Sequence, residues 1–191
     1  IETMWLRDKK TKKCDKLNII KYCVDAIKQC PMALNFLCSE IITYEVCFSA
    51  VEVNGEALQF VPNNLKTYEI CLTAVRNYSL IFVPKNIQTE DMYIDAVRQY
   101  GGAIEYIPEQ SLTYEICIEA VKNWLPLNIF YNRIPKKYLT PYLYITAVSN
   151  NGAALSLVPD KFKTIEMCIN AVANDGLAIM YIPKQMKTFS I

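Results

Sequence analysis

The chain has 191 residues, 52% of them hydrophobic and 20% charged, which is enough apolar material for a large core and excludes a disordered chain. Its formal net charge of +1 gives no global pull toward nucleic acid or an anionic membrane surface. With no histidine, Ser-His-Asp and Cys-His catalysis and every His-containing zinc site are excluded.

The opening Ile1-Glu2-Thr3 carries no initiator Met, so the expectation is a piece of a longer protein. There is no charged-then-apolar leader and no uncharged apolar run of about 18 residues, so no transmembrane segment is expected. Residues 1–18 read as a basic lead-in or the end of a preceding repeat. Within them Arg7–Lys16 carries six basic and two acidic residues. That segment is a candidate contact for anionic lipid (near Lys9–Lys13) or nucleic acid, or a nuclear targeting patch. The plainer expectation is a solvated linker, because the acids dilute the charge.

From Ile19 to Lys187 the chain repeats itself, in about seven copies of about 24 residues. They start at 19, 43, 67, 89, 113, 140 and 164, and all but the first open on Thr. The copy at Thr67 is shorter than the rest and the copy at Thr113 longer. Counting Thr as slot one, the hydroxyl is an N-cap, and the acid at slot three (Glu45, Glu69, Asp91, Glu115, Glu166) suits the positive end of a helix dipole. Slots four, five, six, eight and nine are apolar, with Ala-Val at eight and nine, as in Ala50-Val51 and Ala171-Val172. Slots three, seven and ten are mostly polar. This is a helix buried between neighbours with one narrow wet stripe.

Asn54-Gly55, Asn151-Gly152 and Asp175-Gly176 end that helix, and the Gly is expected in the left-handed conformation of a C-cap. A short second helix follows, such as Ala57–Val61, stopped by Pro62. Its aromatic or Leu (Phe60, Phe82, Tyr106, Leu157, Tyr181) is expected to wedge between layers. The fold class is therefore all-α, an α-solenoid of helix-turn-helix repeats in which no copy is stable alone. Residues 188–191 read as the start of a further repeat.

The string Thr-Tyr-Glu-x-Cys-x-x-Ala-Val…Asn-Gly-x-Ala-Leu-x-Phe-Val-Pro resembles the tandem repeats of domain-of-unknown-function family 4116, over Ile19 to Ile191. That family is known from large proteins of intracellular bacteria, including secreted effectors, and from giant viruses. The resemblance implies a helical array beside other domains, and it assigns no catalytic residues. It also implies delivery by a bacterium into host cytoplasm.

Eight cysteines raise the question of disulfides or metal. Cys23, Cys47, Cys71, Cys117 and Cys168 share slot five, which is a packing pattern; reduced, buried thiols are expected, and with them a reducing compartment such as cytoplasm. There is no Cys-x-x-Cys pair and no Gly-rich phosphate loop, so no metal, cofactor or catalytic residue is predicted. The acids at slot three and Tyr44, Tyr68 and Tyr114 at slot two are read as capping and inter-repeat packing.

The exception is Trp124–Arg133, which contains the insertion of the long copy and is rich in aromatics. Irregular loops on repeat scaffolds carry binding, and Trp, Tyr and Arg are enriched at hot spots. Trp124, Tyr131 and Arg133 are the predicted partner-binding residues; the competing expectation is that the insertion only rebends the stack and buries Trp124. The functional expectation is a non-catalytic protein-protein interaction scaffold with a protein partner and no nucleic acid. The alternatives are a structural spacer for an enzymatic domain elsewhere, and lipid or nucleic-acid binding through the basic segment.

Overall fold

The computed structural model describes residues 12–187, with side chains from Asn18 onward. The stretch Lys9–Lys13 and the start of a further repeat at 188–191 lie outside the residues whose side chains are described. The described chain is all-α, with eight α-helices and short 3₁₀ helices between them. They are α1 (Lys12–Gln29), α2 (Tyr44–Val53), α3 (Tyr68–Arg76), α4 (Glu90–Gln99), α5 (Tyr114–Lys122), α6 (Leu127–Arg133), α7 (Pro141–Asn150) and α8 (Ile165–Asn174). α1 runs through the boundary at Ile19, so the lead-in and the first copy share one helix.

Each repeat helix from α2 onward, α6 apart, starts where its Thr requires. The hydroxyls of Thr43, Thr67, Thr89, Thr113, Thr140 and Thr164 each accept the backbone N–H three residues on. After α2, α4, α7 and α8 slot twelve turns extended, as at Asn54 (φ −143°), and ends the helix. The Asn54 carboxamide oxygen accepts the Glu56 N–H at 2.9 Å and opens the next segment.

That segment is a 3₁₀ helix rather than a second α-helix. It spans Gly55–Phe60, Gly101–Tyr106, Gly152–Leu157 and Gly176–Tyr181. Six residues pinned between an extended slot twelve and an extended residue before Pro close more hydrogen bonds with an i→i+3 pattern than with i→i+4. A second 3₁₀ turn follows Pro in most copies, as at Asn63–Leu65 and Lys136–Tyr138. The long copy differs: its extra residues allow a true α-helix, α6.

The chain divides into two compact units, Ile1–Ile87 and Gln88–Ile191. In the first, α2 packs on α1 and on the 3₁₀ helix Pro31–Phe36, and α3 packs on α2 and on Gly55–Phe60. In the second, α5 packs on α4, α7 on α5 and α8 on α7, each helix meeting the one of the copy before it. α6 lies against Gly101–Tyr106 of the preceding copy.

Slots four, five, eight and nine form the core: Val46, Cys47, Ala50 and Val51 are fully buried, as are Ile70, Cys71, Ala74 and Val75. Slot five holds Cys47, Cys71, Cys117 and Cys168, all buried and free. The wedge between layers is not the aromatic at slot eighteen. Phe60 and Leu157 are half-buried and Tyr106 and Tyr181 exposed, whereas Leu58, Ile104 and Leu155, two residues earlier, are fully buried. The small slot-fifteen residues Ala57, Ala103, Ala154 and Ala178 are buried beside slot sixteen, and slot eighteen is left nearer the surface.

The glycines also differ from expectation: no described Gly has positive φ. Their role is close approach. A Cβ on Gly55 would lie 2.6 Å from the Ala74 carbonyl oxygen, one on Gly101 2.1 Å from that of Ala120, and one on Gly152 2.2 Å from that of Ala171. Each Gly thus sits under the last turn of the next copy's helix, and the Gly101 N–H donates to the Asn123 carbonyl at 2.7 Å.

Candidate functional site

The two copies of irregular length end their helices in another way, and this places two exposed aromatics, Tyr78 and Trp124. In α3 the Ser79 N–H reaches the Ala74 carbonyl (3.0 Å) and the Tyr78 N–H reaches that of Val75 (3.1 Å), a Schellman closure. Tyr78 takes its left-handed position (φ 66°), where Gly is usual. After α5 the equivalent residue is Trp124 (φ 60°). Leu125 precedes Pro126, which confines it to extended backbone, so the reversal of direction falls on Trp124. Leu125 is buried, and Trp124 is turned outward, 66% exposed. The expectation that the insertion would bury Trp124 is therefore not met.

The ring partner of Trp124 is Tyr100, with centroids 6.5 Å apart and planes tilted by 37°. Tyr100 occupies slot twelve of the previous copy, and its own ring lies over Gly102, where an added Cβ would come within 2.4 Å of it. Together Tyr100 and Trp124 form a surface aromatic pair in the second unit. Tyr131 stands out from α6, 77% exposed, while its neighbour Phe130 points inward. Phe130 meets Tyr144 at 6.3 Å and Tyr144 meets Phe162 at 5.9 Å, an aromatic row through two successive copies.

Arg133 is placed differently from the other two predicted site residues. Its Nη2 donates to the Ile104 carbonyl at 3.2 Å and to the Ile107 carbonyl. Its Nε is buried and has no hydrogen-bond partner. Its guanidinium therefore ties α6 to the 3₁₀ helix of the preceding copy. The crevice behind Trp124, lined by Val121, Leu125, Leu127, Phe130 and Asn150, has about 10 Å³ of free space, which is room for about one water and not for a substrate.

The acids at slot three, Glu45, Glu69, Asp91, Glu115 and Glu166, are all exposed at helix starts. Two slot-two tyrosines bridge copies: Tyr44 donates to Glu69 at 2.6 Å and Tyr114 pairs with Thr140 at 3.2 Å. The hydrogen bond to Glu69 and partial burial push the Tyr44 phenol up. Glu119 is held below the usual carboxylate range by Lys122 (2.8 Å) and Arg98 (3.1 Å), a surface ion pair of small energetic worth. Burial pushes the thiols of Cys47 and Cys117 up to about 11, which suppresses thiolate chemistry. Among the described residues no group of three or more Cys, Asp or Glu is placed to hold a metal ion, and no described helix is long and apolar enough to cross a membrane.

Sequence reasoning missed one set of residues. At slot eleven Asn77, Asn150 and Asn174 each donate their carboxamide to the slot-nine and slot-ten carbonyls of the slot-one-capped helix in the preceding copy. Asn77 reaches Val51 (3.3 Å) and Glu52 (3.2 Å), Asn150 reaches Val121 (2.8 Å) and Lys122 (3.1 Å), and Asn174 reaches Val148 (3.4 Å) and Ser149 (2.8 Å). These carbonyls belong to the last turn, which has no internal donors. The recurrence of Asn at slot eleven was visible in the aligned copies; its partners were not.

Two stretches, 43–88 and 142–187, match the model of the family described as a domain of unknown function (DUF4116). Each match spans about two successive copies. No curated protein and no solved structure matches the chain. The chain is thus a tandem-repeat protein that carries the DUF4116 domain at 43–88 and again at 142–187.

Proposed function

We propose that the chain is a non-catalytic protein-interaction scaffold, part of a larger protein acting in host-cell cytoplasm, and that the Tyr100–Trp124 pair is its contact point. The observation that carries this is Trp124 itself. A bulky residue in the left-handed region costs about 1–2 kcal/mol relative to Gly, yet here it displays an indole that is 66% exposed. Exposed aromatic rings on a rigid support are the residue type that anchors protein interfaces. The balanced charge, the absent histidine and the one-water crevice all favour contact over catalysis.

The test is capture of a partner from host-cell lysate by the 191-residue chain, compared with Trp124→Ala, Tyr100→Ala and Tyr131→Ala. All three side chains are exposed, so circular dichroism should show unchanged helix content. A partner held by the native chain and lost in the first two variants supports the reading. Loss in Tyr131→Ala as well extends the surface onto the outer face of α6. A partner retained by all three moves the site elsewhere, and no partner at all overturns the scaffold.

A further inference from the structure

The turn after Pro changes character along the chain. Its first two residues are Asn63 and Asn64 after Pro62, Lys85 and Asn86 after Pro84, and Glu109 and Gln110 after Pro108. In the next three copies the turn becomes basic. Lys136 and Lys137 follow Pro135, Lys161 is the second residue after Pro159, and Lys184 follows Pro183. All four lysines are exposed, and all lie in the second unit.

Among the described residues none of these four ammonium groups is in an ion pair. The carboxylate within the run, Asp160, is met instead by Lys163 at 2.9 Å. The Lys163 side chain is only 8% exposed, and its ammonium also donates to the Tyr181 carbonyl at 2.8 Å. Asp160 is thus offset by an internal base, and Lys136, Lys137, Lys161 and Lys184 stand as uncompensated positive charge.

The stack holds these turns in place. The Tyr138 hydroxyl donates to the Leu112 carbonyl of the preceding copy at 3.1 Å, and the Phe162 ring lies 5.9 Å from that of Tyr144 on α7. Packed helices of successive copies are about 8–10 Å apart, so their turns repeat at about that interval. An extended peptide rises about 3.3 Å per residue, or about 10 Å in three residues.

We propose that Lys136, Lys137, Lys161 and Lys184 form a docking ridge for an extended acidic peptide segment, whose carboxylates at about every third residue meet one copy after another. The row suits carboxylates better than nucleic acid. Lys137 lies over the ring of Tyr138 (4.7 Å) and Lys161 over that of Phe162 (4.8 Å), and both rings are half-buried, a poor platform for stacked bases. None of the four is Arg, so the fork that grips phosphate in two places is missing. Neither Tyr100 nor Trp124 belongs to the ridge.

The test is fluorescence anisotropy of a labelled polyglutamate peptide of about ten residues, long enough to span three copies, titrated with the 191-residue chain at low salt. Affinity should fall steeply as salt is raised. Lys137→Glu with Lys161→Glu is expected to weaken binding roughly tenfold. Lys137→Gln with Lys161→Gln removes the charges without reversing them and should cost roughly threefold, which keeps the test open if the reversed pair disturbs the turns by circular dichroism. Lys21→Glu with Lys28→Glu, both exposed on α1, makes the same change in net charge as the reversed ridge pair and should stay within about twofold of the native chain.

Equal losses in the two reversed pairs mean that net charge alone attracts the peptide, and overturn the proposal. Binding that survives both ridge variants belongs to the basic segment Arg7–Lys16 and overturns it too, as does a chain that does not bind polyglutamate at low salt. Oligothymidylate or phosphatidylserine vesicles that bind more tightly than polyglutamate, and lose that binding in the ridge variants, refute an acidic peptide as the occupant. None of these readouts involves Trp124 or partner capture, so they stand or fall apart from the proposed scaffold.

Discussion

Gly152→Ala should destabilise the second unit although alanine is the better residue on intrinsic grounds. The new methyl would sit 2.2 Å from the Ala171 carbonyl oxygen and 3.0 Å from the Asp175 Cβ and amide nitrogen. An ordinary contact needs about 1 Å more. No rotamer change relieves it, because the obstructing atom is backbone and is fixed by the Asp175 N–H at 2.8 Å. Relief requires the last turn of α8 to lift from Gly152–Leu157, which also lengthens the Asn174 bonds to Val148 and Ser149.

Such overpacking costs about 1–3 kcal/mol, offset by about 0.4–1 kcal/mol from the stiffer unfolded chain. The net loss is then about 1–2 kcal/mol, and a melting temperature lower by roughly 4–16 °C for a unit of this size. Gly176→Ala in the same chain meets open space and should gain the about 0.4–1 kcal/mol alone. Urea unfolding by circular dichroism, on both variants side by side, measures the difference between one chemical change in two copies of one slot. If Gly152→Ala proves as stable as Gly176→Ala, glycine-to-carbonyl approach does not hold successive copies together.

Asn150→Ala removes the donor to Val121 and Lys122 and should cost about 1–2 kcal/mol in urea unfolding, with Asn150→Asp no better because a carboxylate cannot donate. Trp124→Gly should raise stability by about 1 kcal/mol and Trp124→Ala should not, since only Gly relieves the left-handed backbone; equal stabilities would mean the turn stores no strain. Arg133→Ala should lower stability by about 1–3 kcal/mol through its two carbonyl partners, while Tyr131→Ala stays within about 0.5 kcal/mol, separating a packing residue from a surface one. Cys117 and Cys47 keep their protons to about pH 11 in the fold and to about 9.0 when unfolded. The unfolded chain therefore loses protons first, and the stability these thiols contribute is complete below pH 9 and declines from there to 11. Urea midpoints across that range test the sign; native-state labelling at pH 8 should reach exposed Cys30 and Cys38 and spare Cys117 and Cys47.

The sequence carried the periodic part of this architecture because its causes are local. A Thr hydroxyl caps the helix that follows it, a Pro stops the segment before it, and apolar residues at slots four, five, eight and nine of one helix define its buried face. The outward display of Trp124 had a local cause too, in the shortened reversal before Pro126, but its exposure did not follow from composition. Arg133 shows the limit: nothing in the string announces that its guanidinium turns inward to the Ile104 and Ile107 carbonyls, some 26 to 29 residues away.

What the sequence by itself determined is the repeat, its helix starts and stops, and which face of each helix is apolar. The tertiary structure alone decided why slot thirteen is glycine, which apolar residue of the short segment enters the stack, and what the slot-eleven Asn is for. Those three depend on how closely the next copy's helix approaches. A distance between backbones in different copies is fixed by packing across the interface, and one copy's residues do not encode it.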